Sequence, residues 1–191
     1  LSVVPYRSRN LATLSAANLA FIGLPSTVRL TWQDLKEGCS TFDGDSSSAC
    51  NDNKLRKFSQ IHRGNFFNWL PKIQFNSGGT FLHDAMQRAG NYIETNTPWA
   101  YEPNRIISKD NNQTTQNPEY SCRSNYHIMM TDGIWNNAAN APSDFIHDNV
   151  TSSTLPDGTI YNARSPFADA TANTVADLAF HYWAKDARTG T

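Results

Sequence analysis

Residues 125–137 read NYHIMMTDGIWNN. The apolar run at 126–130 is compact, and it stops on Thr131-Asp132-Gly133. Such a run is expected of a central parallel strand covered on both faces, because strands buried on two sides do not alternate polar with apolar residues. His127 falls to one side of it. Parallel α/β sheets bind ligands at the carboxyl ends of their strands, and Asp132 follows this strand directly. An Asp-Gly pair is also a plain turn. The residues alone leave both readings of Asp132 open.

Working outward, helices and strands alternate. Residues 7–22, RSRNLATLSAANLAFI, place Leu14, Ala17 and Phe21 on one helical face, and Gly23 and Pro25 end the helix. TVRLTWQDL (27–35) alternates Val28, Leu30 and Trp32 inward with Arg29, Thr31 and Gln33 outward, a strand with one covered face. QIHRGNFFNWL (60–70) predicts a short helix presenting Phe66, Phe67 and Leu70, stopped by Pro71, and IQF (73–75) a very short strand. TFLHDAMQRAGNYIET (80–95) sets Leu82, Ala85, Met86, Ala89 and Ile93 on one stripe, an amphipathic helix with His83 on its exposed side. NTVADLAFHYWAKDAR (173–188) predicts a last helix with Val175, Leu178, Ala179 and Tyr182 on its inner face. Three polar stretches read as insertions, at about 36–54, 96–121 and 136–168, the last with a turn at Pro156-Asp157-Gly158. The alternation argues an α/β layer fold with a mainly parallel sheet.

Composition bounds the function. With 191 residues the chain has room for one domain, and 39% hydrophobic residues supply a core. A net charge of −1, with no basic cluster larger than Lys54-Leu55-Arg56-Lys57, argues against nucleic acid or an anionic membrane as main partner. No stretch of about 20 apolar residues is present to span a bilayer; no signal peptide is visible, but the sequence begins at Leu1 rather than Met, so an upstream part is expected. Cys39 and Cys50 flank CSTFDGDSSSAC without neighbours at zinc-ligand spacing. A disulfide closing this loop is the leading reading, and in the chain-entropy model it contributes about 3 kcal/mol. It requires an oxidising compartment, whereas two free thiols would suit a cytosolic protein. Cys122 is left over.

Few residues carry chemistry by themselves. GDSSSA (44–49) lacks the glycines that shape a protease oxyanion hole, no G-x-S-x-G elbow occurs, and Ser46 and Ser47 are not read as nucleophiles. His62, His83, His127, His147 and His181 are scattered and form no H-E-x-x-H, so each reads as a packing or surface residue. There is no phosphate-binding glycine loop. Thr80, after Ser77-Gly78-Gly79, enters a helix whose start can lie at the same sheet edge as Asp132. A hydroxyl and a carboxylate there are hard oxygen donors, suited to Mg²⁺ or Ca²⁺. Thr80 is equally a candidate helix N-cap.

Taken together, three stretches resemble one family. GGTFLHDAMQRAGNYI (78–93), SCRSNYHIMMTDGIWN (121–136) and FADATANTVADLAFHYWAKDAR (167–188) are similar to the amino-terminal von Willebrand factor A-like domain of the PilC/PilY family of type IV pilus tip-associated adhesins. That family shows G-G-T-P-L opening a helix, Cys-Arg before an apolar strand ending T-D-G-[YF]-W-N, and a later helix around S-N-T-L-A-D-V-A-x-Y-Y-W. The resemblance covers about 60–188 well and about 7–35 loosely. Trp135 and Asn136, with the ANTVADLAFHYWAKD helix, distinguish it from a generic A domain.

The resemblance implies a three-layer, Rossmann-like von Willebrand factor A fold, a mainly parallel central sheet flanked by helices and carrying long loop insertions. Residues 1–191 would form a single, incomplete domain, whose first strand is expected upstream of Leu1 and whose last strands follow the final helix. A-type domains hold a divalent cation through D-x-S-x-S after the first strand, a Thr from a later loop and an Asp ending the fourth strand. Thr80 matches the Thr and Asp132 the Asp, so Mg²⁺, Ca²⁺ or Mn²⁺ is the implied cofactor. D-x-S-x-S is absent from this chain, since Asp45-Ser46-Ser47-Ser48 is followed by Ala49. The strand that carries it either lies upstream or the site is degenerate. Phe81 replaces the family's Pro, which merely pre-sets φ at the first helical position.

The implied function is a non-enzymatic adhesion module at the tip of a type IV pilus, extracellular after passage through the periplasm. Its implied partners are minor pilins and a host-surface protein or glycan, engaged through the loops. One alternative is a structural A domain that assembles the tip without metal. Another is a periplasmic metal-dependent hydrolase, for which only His83 or Asp84 would be near Asp132.

Overall fold

A computed structural model describes residues 9–35, 53–73, 80–102, 119–120, 122–131, 152–165, 168–171 and 173–188. They fall into two compact units, one from residues 9–34 and 53–73, the other from residue 80 onward. The Cys39/Cys50 pairing, Asp132, Trp135, His147 and the short strand expected beyond Ile73 lie outside the described residues.

The first unit begins with helix α1 (Arg9–Ile22). Ala17 is buried, with Leu14 and Phe21 packed beside it, so the expected face is the inner one. Helix ends leave carbonyls without partners. Here Arg63 takes them up, donating to Phe21 O (3.4 Å) and Leu24 O (2.6 Å) and bonding Ile22 O as well. Strand β1 (Arg29–Leu30) pairs antiparallel with β2 (Arg56–Lys57), with Arg29 opposite Lys57 and Leu30 opposite Arg56. The strand expected over 27–35 thus keeps only two ladder residues. Beyond them the connection passes to side chains: Thr31 Oγ1 donates to Asn53 O (2.6 Å), and Asn53 Nδ2 to Trp32 O (3.0 Å).

Helix α2 (Gln60–Trp69) follows and tightens into a 3-10 turn, Leu70–Lys72, at Pro71. Proline offers no N–H to continue the helix and restricts the residue before it. Phe66 is the hub of the core. Its ring lies 5.0 Å from Phe21, 5.3 Å from Trp32, 5.9 Å from Phe58 and 5.2 Å from Phe67. Such pairs contribute about 0.5–1.5 kcal/mol each beyond the area they bury. His62 is buried among them, 4.8 Å from the Trp32 ring, with Nε2 donating to Leu30 O at 2.8 Å. A ring nitrogen that faces a carbonyl must carry the proton, so His62 is held as its Nε2–H form.

The second unit is organised by α3 (Leu82–Ile93) and α4 (Val175–Trp183). Leu82, Ala85 and Ala89 are buried on α3, as the periodicity predicts. His83 is also buried, not exposed. Helix α4 starts with a capping box, Asp177 N–H donating to Thr174 Oγ1 (3.1 Å) and Thr174 N–H to Asp177 Oδ2 (2.8 Å). Its buried residues are Asp177, Leu178, His181 and Ala184, whereas Ala179, expected inside, is exposed. Tyr182, expected inside, docks on α3.

The docking needs a glycine. A Cβ at Gly90 would overlap the Tyr182 ring. Above it the Tyr182 hydroxyl donates to Asn91 Oδ1 (2.7 Å) and lies 3.1 Å from Gln87 O. Further along, Lys185 Nζ meets Glu94 Oε1 at 2.8 Å, and Arg188 Nη1 donates to Glu94 O at 3.1 Å. Residues 182, 185 and 188 therefore meet 87–91 and then 94, so the two helices run parallel.

A hairpin lies within the stretch expected to be irregular. Strand β3 (Ser152–Thr154) pairs with β4 (Ile160–Asn162) in the register Ser152↔Asn162, Ser153↔Tyr161, Thr154↔Ile160. Gly158, at φ +83°, takes the left-handed backbone that closes the turn. Tyr161 packs on Phe180 of α4 at 4.6 Å.

Residues 122–131 form no regular element, which departs from the strand expected at 126–130. Tyr126 is 87% exposed and Ile128 70%. A strand exists only with a neighbour to bond, and the two ladders among the described residues form elsewhere.

Candidate functional site

The two expected cation donors receive different treatment in the structure. Thr80 is half-buried and stands one residue before the N-cap position of α3, which is Phe81. Its hydroxyl is therefore not the cap that the sequence offered as an alternative. Asp84 in the first turn complements the positive end of the helix. Asp132 lies outside the described residues, and its neighbour Thr131 is exposed. Among the described residues no three His, Cys, Asp or Glu side chains gather in a way that could hold a metal. His83 and Asp84, the candidates for a hydrolase base, point differently: His83 is buried and Asp84 exposed. Cys122 is an exposed free thiol.

A second cluster, unforeseen from the sequence, joins both ends of the 96–121 insertion. Ala100 and Glu119 form an antiparallel bridge, and Tyr120 N–H donates to Trp99 O at 3.0 Å. Trp99 itself is tied to α3, its indole N–H donating to Ile93 O at 2.7 Å. Arg188 holds Glu119 with two bonds, Nε to Oε2 (2.8 Å) and Nη2 to Oε1 (2.9 Å). Arg123 donates to Ala100 O (2.6 Å) and lies over the Tyr120 ring at 5.3 Å. Two planar guanidinium forks thus clasp the root of the insertion, one through a carboxylate and one through carbonyls. Tyr101 and Tyr120 stand beside this clasp with ring centroids 5.7 Å apart.

A residue-type scan passes over this clasp because Arg188, Glu119 and Arg123 are far apart in sequence and form no motif. The Thr174-x-x-Asp177 capping box, by contrast, is a sequence pattern and was readable.

The turn of the hairpin holds one perturbed acid. The Thr159 backbone N–H donates to Asp157 Oδ1 at 2.8 Å, and this bond holds the Asp157 carboxyl below the usual carboxylate range.

Comparison with known proteins adds a homology. The chain is 48% identical over 190 residues to the type IV pilus biogenesis factor PilY1 of Pseudomonas aeruginosa strain PAK, covering 96% of this chain and 15% of that protein. It is 48% identical over 188 residues to PilY1 of strain PAO1, with the same coverage. Against PilY1 of strain UCBPP-PA14 the identity is 46% over 183 residues, 96% of this chain and 14% of that protein. No family profile matches the chain, and no solved structure does. The chain spans about 15% of the length of these relatives. Over nearly its whole length, this chain is a homologue of one segment of proteins named type IV pilus biogenesis factor PilY1.

Proposed function

We propose that the chain is a non-enzymatic interaction module of a type IV pilus, working at the cell surface near the pilus tip. The observation that carries this is identity of 46–48% over 96% of the chain to proteins named for pilus biogenesis. The chain corresponds to one segment of them, so the module's part in pilus assembly is tested by transplantation. Replacing the matching segment of P. aeruginosa PilY1 with this chain is expected to preserve surface pili. A stable chimera that leaves cells bald would contradict the reading.

The proposed fold is the von Willebrand factor A-like α/β layer, as one domain. Two features support it. Helices joined by short loops run antiparallel, whereas crossovers between parallel strands carry helices that all point the same way. Helices α3 and α4 are parallel, and the stretch between them contains the apolar run at 126–130. That run forms no strand among the described residues, so support for the layer comes from the helices and the sequence.

In the same proposal Thr80 and Asp132 contribute hard oxygens to a Mg²⁺, Ca²⁺ or Mn²⁺ site at the carboxyl edge, and a partner carboxylate completes the shell. Titration calorimetry with each cation is expected to give binding heat that Asp132→Ala removes. Absence of heat, or heat unchanged in that variant, would favour the second reading: a metal-free structural domain that assembles the tip with minor pilins. The relatives' printed role in biogenesis, rather than adhesion, supports that second reading.

A further inference from the structure

We draw no further inference here: the strongest candidate, the uncharged outer face of α1 on which Leu11, Leu19 and Ile22 are exposed, is an apolar surface patch, and nothing in the structure shows what covers it.

Discussion

The two units solve the same packing problem with different means. The first closes over its aromatic residues: Trp32, Phe58 and Phe66 are buried in mutual contact, and polar atoms at its seams are used for ties. Both units bury polar residues, Asn53 and His62 in the first, and both expose apolar ones, Leu19 and Ile61 in the first; among the described residues the second lacks an aromatic hub. On α4, Asp177 and His181 are inside, while Trp183 is 61% exposed and Ala176 and Ala179 face out. It is held by directed bonds at Tyr182, Lys185 and Arg188 rather than by an aromatic hub. The difference teaches that the first unit is held mainly by aromatic packing and the second mainly by directed bonds.

Phe66→Ala breaks the comparison at its strongest point. Removing the hub is expected to cost about 3–5 kcal/mol, read as a lowered urea midpoint with Trp fluorescence following Trp32 and Trp69. If it costs less than changes at the α3–α4 contact, the first unit is not the better packed one. Gly90→Ala comes next. The new methyl group meets the Tyr182 ring, and overpacking of this kind costs about 1–3 kcal/mol. A double variant with Tyr182→Ala is expected to recover part of that loss, and strict additivity in the cycle would deny the contact.

Arg188→Ala sharpens the account of directed bonds. It removes a two-bond carboxylate contact and a carbonyl bond, and leaves Glu119 partly buried without that partner. The expected loss is about 1–3 kcal/mol, smaller at high salt because screening already weakens the pair. A loss independent of salt would point to packing instead.

The smallest effect is at Asp157. Its carboxyl is held low by the Thr159 N–H bond, so the folded form favours the carboxylate. A group with a depressed folded pKa contributes stability above its unfolded value, and that contribution fades as pH falls through the folded one. An NMR titration should place Asp157 below the ordinary range near 4, and Asp157→Asn should remove this acid-side dependence from the hairpin. An ordinary midpoint would mean that the turn bond is not formed in solution.

Much of the framework was legible because helical periodicity is local. Helices expected at 7–22, 60–70, 80–95 and 173–188 occur as Arg9–Ile22, Gln60–Trp69, Leu82–Ile93 and Val175–Trp183. What periodicity does not carry is which face meets a neighbour. Hence His83 is buried and Ala179 exposed, against expectation. The hairpin at 152–162 was missed because its strands are three residues long and mostly polar, leaving Pro156-Asp157-Gly158 as the only signal. Of the candidate site, Thr80 is described at the entry to α3. The clasp at Arg188 escaped notice because its members are brought together only by the chain's long-range path.

Hydrogen exchange at residues 126–130, measured on this chain transplanted into full-length PilY1, tests the layered reading most directly. A central strand covered on both faces predicts slow exchange at these amides, close to the most protected positions of α3. Fast exchange there, alongside a protected α3 and α4, would contradict it: the segment would be a solvent-exposed connection, and Asp132 would end no strand.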